Sequence, residues 1–326
     1  MRRRLPLSVT ALCAALVAGV LAPGLASAAG AAPARAAVRL VVQGAFVVHG
    51  NAVTVPGRRF AVTGVTAPYV PGQTVGVVTT IGRHRISRDR LRIKPSANGR
   101  TGHFSETLRS PAAGSVQIVV THRRTARMLG FIARQGIAAL AAQAGPGARG
   151  PFVELMQQRL LALHVYLPPS GIFDGQMALA LDAYHRLLGR GVSPALDGPT
   201  VAALLNGEGV FKVRHPRDGK HVEGNLGRQL LALINGSKVY RIYPISSGKP
   251  STPTILGHFR VYQRDPGYLP DGMYFSDFFS GGYAIHGYNP APDYPASHGC
   301  MRVPIADALS IYNWLTYGNV VDVYYP

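Results

Sequence analysis

From residue 38 to residue 135, short runs of alternating apolar and polar residues are separated by turn residues. Phe60 to Gly64, Gln73 to Val78, Arg90 to Ile93 and Ser115 to Val120 read as strands, with Pro71-Gly72, Asn98-Gly99 and Ala113-Gly114 as turns. Strands of this length and spacing predict a β-sandwich of immunoglobulin-like type. Residues 136–149, rich in Ala and Gly, read as a linker. The period then lengthens: Val153, Leu155, Met156, Leu160, Leu161 and Leu163 recur at helical spacing, and a second such run covers Met177 to Leu188. Pro168-Pro169-Ser170-Gly171 breaks the chain between them, and Asp197-Gly198-Pro199-Thr200 signals a third helix. Residues 150–206 are therefore expected to form a small three-helix bundle.

Residues 210–326 return to the period of two. Leu230 to Ile234 and Lys238 to Tyr243 flank Asn235-Gly236, a strong hairpin signal. Further strands are expected at Gly257 to Gln263, Tyr283 to His286 and Val320 to Tyr325. One helix, from about Pro304 to Tyr317, is expected to turn Ile305, Leu309, Tyr312 and Leu315 to a core. The predicted architecture is multidomain, ending in a mostly-β domain with one main helix.

Residues 1–28 change this picture. Arg2, Arg3 and Arg4, the apolar run from Leu5 to Leu21 and Ala26-Ser27-Ala28 together match a cleaved secretory leader, with a retained membrane anchor as the alternative. Cleavage would leave Cys300 as the sole cysteine, so the mature chain must be held by hydrophobic cores, for which 47% hydrophobic residues suffice. The formal charge of +19 is concentrated between Arg39 and Arg149, where sixteen Lys and Arg face only Asp89 and Glu106. Such asymmetry suits a polyanionic neighbour or a solvated face. For an exported chain, anionic wall polymers or a membrane surface are the expected partners, not nucleic acid.

Cys300 carries the candidate chemistry. A free thiol has a pKa near 8.5, so it needs a base to attack at neutral pH. His286 ends a predicted strand beside Gly287, whose small size leaves space for substrate or for close backbone approach. An imidazole also needs a partner on its second nitrogen, and the Gly287 carbonyl is available. Gly299, next to the thiol, leaves main-chain N–H groups accessible to a developing oxyanion. His298 is read as orienting the loop, with an alternative role as base. A zinc site built from His286, His298 and Cys300 is a further alternative.

Two segments resemble known families. Residues 150–206, through Val153, Leu155-Met156-Gln157, Gly171-Ile172-Phe173-Asp174, Asp182-Ala183-Tyr184-His185 and Leu196 to Thr200, are similar to the peptidoglycan-binding domain of bacterial wall enzymes. They differ from it in Tyr184-His185, where that family shows an aromatic followed by glutamine. Ser297-His298-Gly299-Cys300-Met301-Arg302, preceded by His286-Gly287, closely resembles the signature of the L,D-transpeptidase (YkuD) family. That resemblance spans about residues 219–326 and includes Gly224 to Leu233 and Thr252 to Phe259, the latter with two extra residues before Gly257.

The resemblance implies Cys300 as nucleophile and His286 as proton acceptor and donor. It also implies Ser297, His298, Gly299 and Gly287 as oxyanion or loop-shaping residues, and Arg302 and Tyr288 as substrate contacts. The implied reaction joins peptidoglycan stem peptides 3→3 through a thioester, releasing D-alanine, without metal or cofactor. Transfer to water, a cysteine peptidase or amidase, a sortase-type enzyme and a non-enzymatic wall-binding protein are the competing readings. Papain-like enzymes place Cys before His, opposite to the order here, and the sortase cysteine motif is different.

Overall fold

The computed structural model describes residues 32–325; the leader expected over residues 1–28 lies outside them. Ten strands come first: β1 (Ala37–Gln43), β2 (Phe46–Val48), β3 (Asn51–Thr54), β4 (Arg59–Ala67), β5 (Thr74–Ile81), β6 (His84–Arg92), β7 (Lys94–Pro95), β8 (Gly102–Arg109), β9 (Gly114–His122) and β10 (Phe131–Ala139). They make a four-stranded sheet, β1-β4-β8-β7, and a six-stranded sheet, β2-β3-β10-β9-β5-β6. Period-two burial explains the pairing of faces. Val116, Ile118 and Val120 of β9 meet Phe60, Val62, Phe104 and Leu108 of the other sheet in one core.

β10 runs into the segment expected to be a linker. Its Ile137 and Ala139 are buried, and it pairs with β9 and, in parallel, with β3. Its Gly and Ala content hides a strand whose stability comes from its neighbours rather than its propensity. At the opposite edge, β6 exposes Arg85, Arg88, Arg90 and Arg92. Charge on an edge strand discourages pairing with a second chain.

Three helices follow: α1 (Pro151–Ala162), α2 (Gly175–Leu187) and α3 (Gly198–Asn206). α2 and α3 begin at aspartates whose side chains accept the N–H of the residue three positions on: Asp174 from Met177 at 2.9 Å and Asp197 from Thr200 at 2.8 Å. Tyr184 and His185 are buried. Tyr184 Oη donates to the Glu208 carbonyl, and His185 Nε2 bonds Thr200 Oγ1 at 2.9 Å. They are core residues rather than an exposed contact surface.

The C-terminal part contains β11 (Lys220–Asn225), β12 (Leu230–Asn235), β13 (Lys238–Pro244), β14 (Gly257–Arg260), β15 (Gln263–Tyr268), β16 (Tyr274–Ser280), β17 (Tyr283–Gly287), β18 (Met301–Val303), α4 (Ile305–Trp314) and β19 (Val320–Tyr324). Two sheets result, β13-β12-β11-β19-β14 and β15-β16-β17-β18. Between them lies a core containing Val222, Leu231, Tyr243, Ile285, Met301, Ile311 and Val321. The face that α4 buries differs from the expected one. Ala308, Ile311 and Leu315 are buried, whereas Leu309 is 44% exposed. Ala308 is the small residue over which α4 crosses β17, and this contact sets the helix rotation.

The helices are fastened to this part by Arg186 of α2. Its side chain is buried, paired with Asp182 at 2.7 Å, and its Nη1 donates to the carbonyls of Gln229 at 2.8 Å and Ile245 at 2.9 Å. These two carbonyls lie in the strand connections that support the segment around Cys300.

Candidate active site

The parallel pairing of β17 with β18 positions the candidate pair. Ile285 is opposite Met301 and His286 opposite Arg302. Continuing that register by one residue aligns Cys300 with Ala284, two positions from His286 along β17. Successive side chains alternate across a strand. Ile285, Met301 and Val303 therefore enter the core, while Cys300, His286 and Arg302 share the opposite face.

His286 is 3% exposed, and its Nδ1 lies 3.0 Å from the carbonyl oxygen of Gly287. A carbonyl only accepts, so Nδ1 carries the proton and Nε2 is the basic nitrogen. Burial pushes the imidazole pKa down to about 4, against a raising effect of the Gly287 hydrogen bond. Burial pushes the half-buried Cys300 thiol up, opposed by the Ala284 N–H and the Arg302 charge. At neutral pH the resting pair is a thiol and a neutral imidazole. The thiol donates to the Gly282 carbonyl at 3.4 Å, and no hydrogen bond joins it to His286 among the described residues.

The loop before Cys300 is closed by Ser297. Its Oγ donates to the Cys300 carbonyl at 2.6 Å and accepts the Gly299 N–H at 3.0 Å. The Gly299 N–H is thus already used and is not an oxyanion donor, whereas no acceptor among the described residues takes the Cys300 N–H. Gly299 has φ +126°, and a Cβ there would lie 2.6 Å from Cε1 of Tyr283. Glycine is required by both backbone conformation and ring packing. At Gly287 a Cβ would lie 2.7 Å from that of Ala308. Its smallness admits α4 and does not make room for substrate.

His298 is exposed, with Nε2 3.1 Å from Nζ of Lys249. His286, His298 and Cys300 do not bring three ligand atoms within reach of one ion. Arg302 stacks on the Tyr288 ring at 4.0 Å, and the same ring meets the edge of His286 at 5.7 Å. Tyr288, Tyr268, Leu179 and Ile305 are among the residues lining a cavity of about 680 Å³ beside the site.

Three contributors carry no local sequence signal. Asp271, in the turn between β15 and β16, raises the pKa of both His286 and Cys300 through its charge. Gln229 holds Ser247, accepting its N–H at 2.8 Å and donating to its Oγ at 2.8 Å. The Ser247 carbonyl then accepts the N–H groups of Ala296 and Ser297. Their partners are distant along the chain, so only a repeated acceptor-donor geometry, invisible in one sequence, links them.

Two packed β-sheets with one crossing helix, and a cysteine and histidine on adjacent parallel strands, define a mixed-β domain with a thiol–imidazole site. The family model described as the L,D-transpeptidase catalytic domain, YkuD, matches residues 219–323. The crystal structure of the L,D-transpeptidase (residues 123–326) from Xylanimonas cellulosilytica is 30% identical, with a TM-score of 0.51 over 56% of this chain and 99% of that one. The YkuD protein of Bacillus subtilis is 34% identical over 107 residues, 32% of this chain and 65% of that protein. That of Bacillus licheniformis is 28% identical over 137 residues, 40% of this chain and 81% of that protein. The chain thus belongs, through this domain, to the YkuD family of L,D-transpeptidases.

Proposed function

We propose that the chain is a peptidoglycan L,D-transpeptidase that uses Cys300 as nucleophile and His286 as its base. The observation that carries this reading is the β17–β18 register. It places the thiol and an imidazole of defined tautomer on one face, with Nε2 unprotonated. Cys300 Sγ attacks the carbonyl carbon of the third residue of a tetrapeptide stem as its proton passes to His286 Nε2. The oxyanion forms beside the free Cys300 N–H. Collapse of the intermediate breaks the peptide bond, His286 returns the proton to the departing D-alanine amine, and a thioester remains. The amine of a second stem gives its proton to His286 and attacks the thioester. A 3→3 cross-link forms and the thiol is restored. Water in place of the amine would give a carboxypeptidase.

Arg302 assists the first step because its charge favours thiolate over thiol and neutral imidazole over imidazolium. Tyr288 borders the adjacent cavity and Arg302 stacks on its ring, and both are assigned to the peptide substrate. No metal or organic cofactor enters this scheme. The α1–α3 unit is assigned to peptidoglycan binding, and the arginines of β6 to anionic wall polymers or a membrane surface. Export by the residue 1–28 leader would bring the chain to the wall.

The test is incubation of the protein with disaccharide-tetrapeptides. Release of D-alanine together with dimers supports the proposal. Monomeric tripeptide alone would assign a carboxypeptidase, and cleaved glycan would exclude both.

A further inference from the structure

The connector from α3 to β11 carries His215 and Asp218 to the sheet edge formed by β19 and β14. One ligand atom from each of His215, Asp218 and Asp322 lies within 4.8 Å of the other two. Asp322 is 2% exposed and faces His258 across the antiparallel β14–β19 pair. Its Oδ1 accepts from His258 Nδ1 at 2.7 Å, whereas its Oδ2 is buried without a hydrogen-bond partner.

An unpartnered buried carboxylate oxygen is costly, and its setting makes it more so. Asp218 stands beside it, and Glu223 is its cross-strand neighbour on β11. Glu223 is fully accounted for by the N–H groups of Arg214 and His215, by His221 and by Tyr324 Oη. Asp322 is not. His258 Nδ1 lies 2.7 Å from Asp322 Oδ1 and 3.6 Å from Asp218 Oδ2 and leaves Asp322 Oδ2 unpartnered; a cation held by the cluster would offset the repulsion between the two carboxylates.

We propose that His215, Asp218 and Asp322 bind one divalent transition-metal ion, with His258 holding Asp322 from outside the coordination shell. Imidazole with carboxylates suits zinc at about 2.0–2.2 Å, whereas calcium and magnesium favour all-oxygen sets. Three protein ligands leave a fourth position for water. Carboxylates that ligate a metal are themselves hydrogen-bonded by outer groups, the role His258 would fill here. The ion lies on the five-stranded sheet, whereas Cys300 and His286 are on the other. Its effect is to clamp the connector, and so the chain arriving from α3, to β19 beside the β14 edge.

Zinc titrated into the untagged full chain carrying Cys13→Ser and Cys300→Ala, so that no thiol competes, is the test. One zinc per chain by calorimetry, a higher melting temperature, and loss of both in His215→Ala and Asp322→Asn are expected. His258→Gln should weaken binding by roughly 10- to 100-fold. Absence of saturable binding, or binding unchanged in His215→Ala, overturns the proposal. His215 lies in the half-buried connector, so that variant decides the matter where Asp322→Asn fails to fold.

Discussion

His286 Nδ1–H donates a hydrogen bond to the carbonyl oxygen of Gly287 at 3.0 Å, a contact between adjacent residues that leaves Nε2 as the only basic ring nitrogen. Catalytic imidazoles are often oriented by a carboxylate; for His286, the proposed base, the main chain does it. The partner is neutral, so it adds little to the proton affinity that burial removes.

This sets the pH dependence of acylation. With the imidazole held at about 4, His286 remains a base well below the pH where an ordinary histidine is protonated. A carbapenem should acylate Cys300, adding the mass of one drug molecule, with an acidic limb near pH 4 instead of 6.5. His286→Gln should slow this roughly 10²- to 10⁴-fold, and Cys300→Ala should give no adduct. Mass spectrometry across pH 3.5–8 measures all three, and a limb near 6.5 would contradict the buried imidazole.

Ser297→Ala removes both bonds that close the loop and leaves the buried Gly299 N–H without its acceptor. A loss of about 1–3 kcal/mol in chemical unfolding is expected. Acylation should slow beyond what the lower stability explains, because the Cys300 backbone is no longer held. Ser297→Thr, which retains the hydroxyl, should recover part of the rate.

Arg186→Leu should loosen the helices from the catalytic domain. The substitution strands Asp182 and frees the carbonyls of Gln229 and Ile245, and breaking such a buried pair costs about 3–5 kcal/mol. Limited proteolysis should become faster between residues 188 and 198 and in the 206–219 connector. Unchanged cleavage would show that apolar packing alone holds the unit.

Asp307, in the first turn of α4, is 2% exposed with Oδ1 unpartnered, and burial raises its carboxyl to about 7. The folded state therefore holds a proton that the unfolded chain releases near pH 4. This contribution to stability is present below pH 4 and is lost as pH rises through 7. Asp307→Asn should raise the melting temperature at pH 8 and change it little at pH 4. Equal shifts at both values would mean that Asp307 is ionised in the folded protein.

Much of the local structure was legible because it depends on neighbours in the chain. The β12–β13 hairpin forms where expected, although its turn is Gly236-Ser237 with Asn235 still paired to Lys238, and Asp197 does cap α3. The Ser297 to Arg302 signature was legible as a loop carrying Cys300 near His286; that Met301–Val303 form a strand paired in parallel with β17 was not. What was hidden depends on contacts across the fold. Gly287 and Ala308 meet only because α4 crosses β17, so the buried face of the helix was misread by one position at Leu309. β10 is a strand because β3 and β9 flank it. Asp271, Gln229 and Ser247 act on the site from other strands and turns, where no periodicity marks them.

The hydrogen bond from Cys300 to the Gly282 carbonyl has a consequence for durability. It is the thiolate that attacks peroxides and disulfides, and sulfenic acid, the first product with peroxide, forms from that state. A thiol kept protonated by burial resists both. No second cysteine among the described residues could rescue a sulfenic acid as a disulfide. In the proposed reaction, a nucleophile that ionises only when a substrate and its base engage it is thus stored in its least oxidisable form.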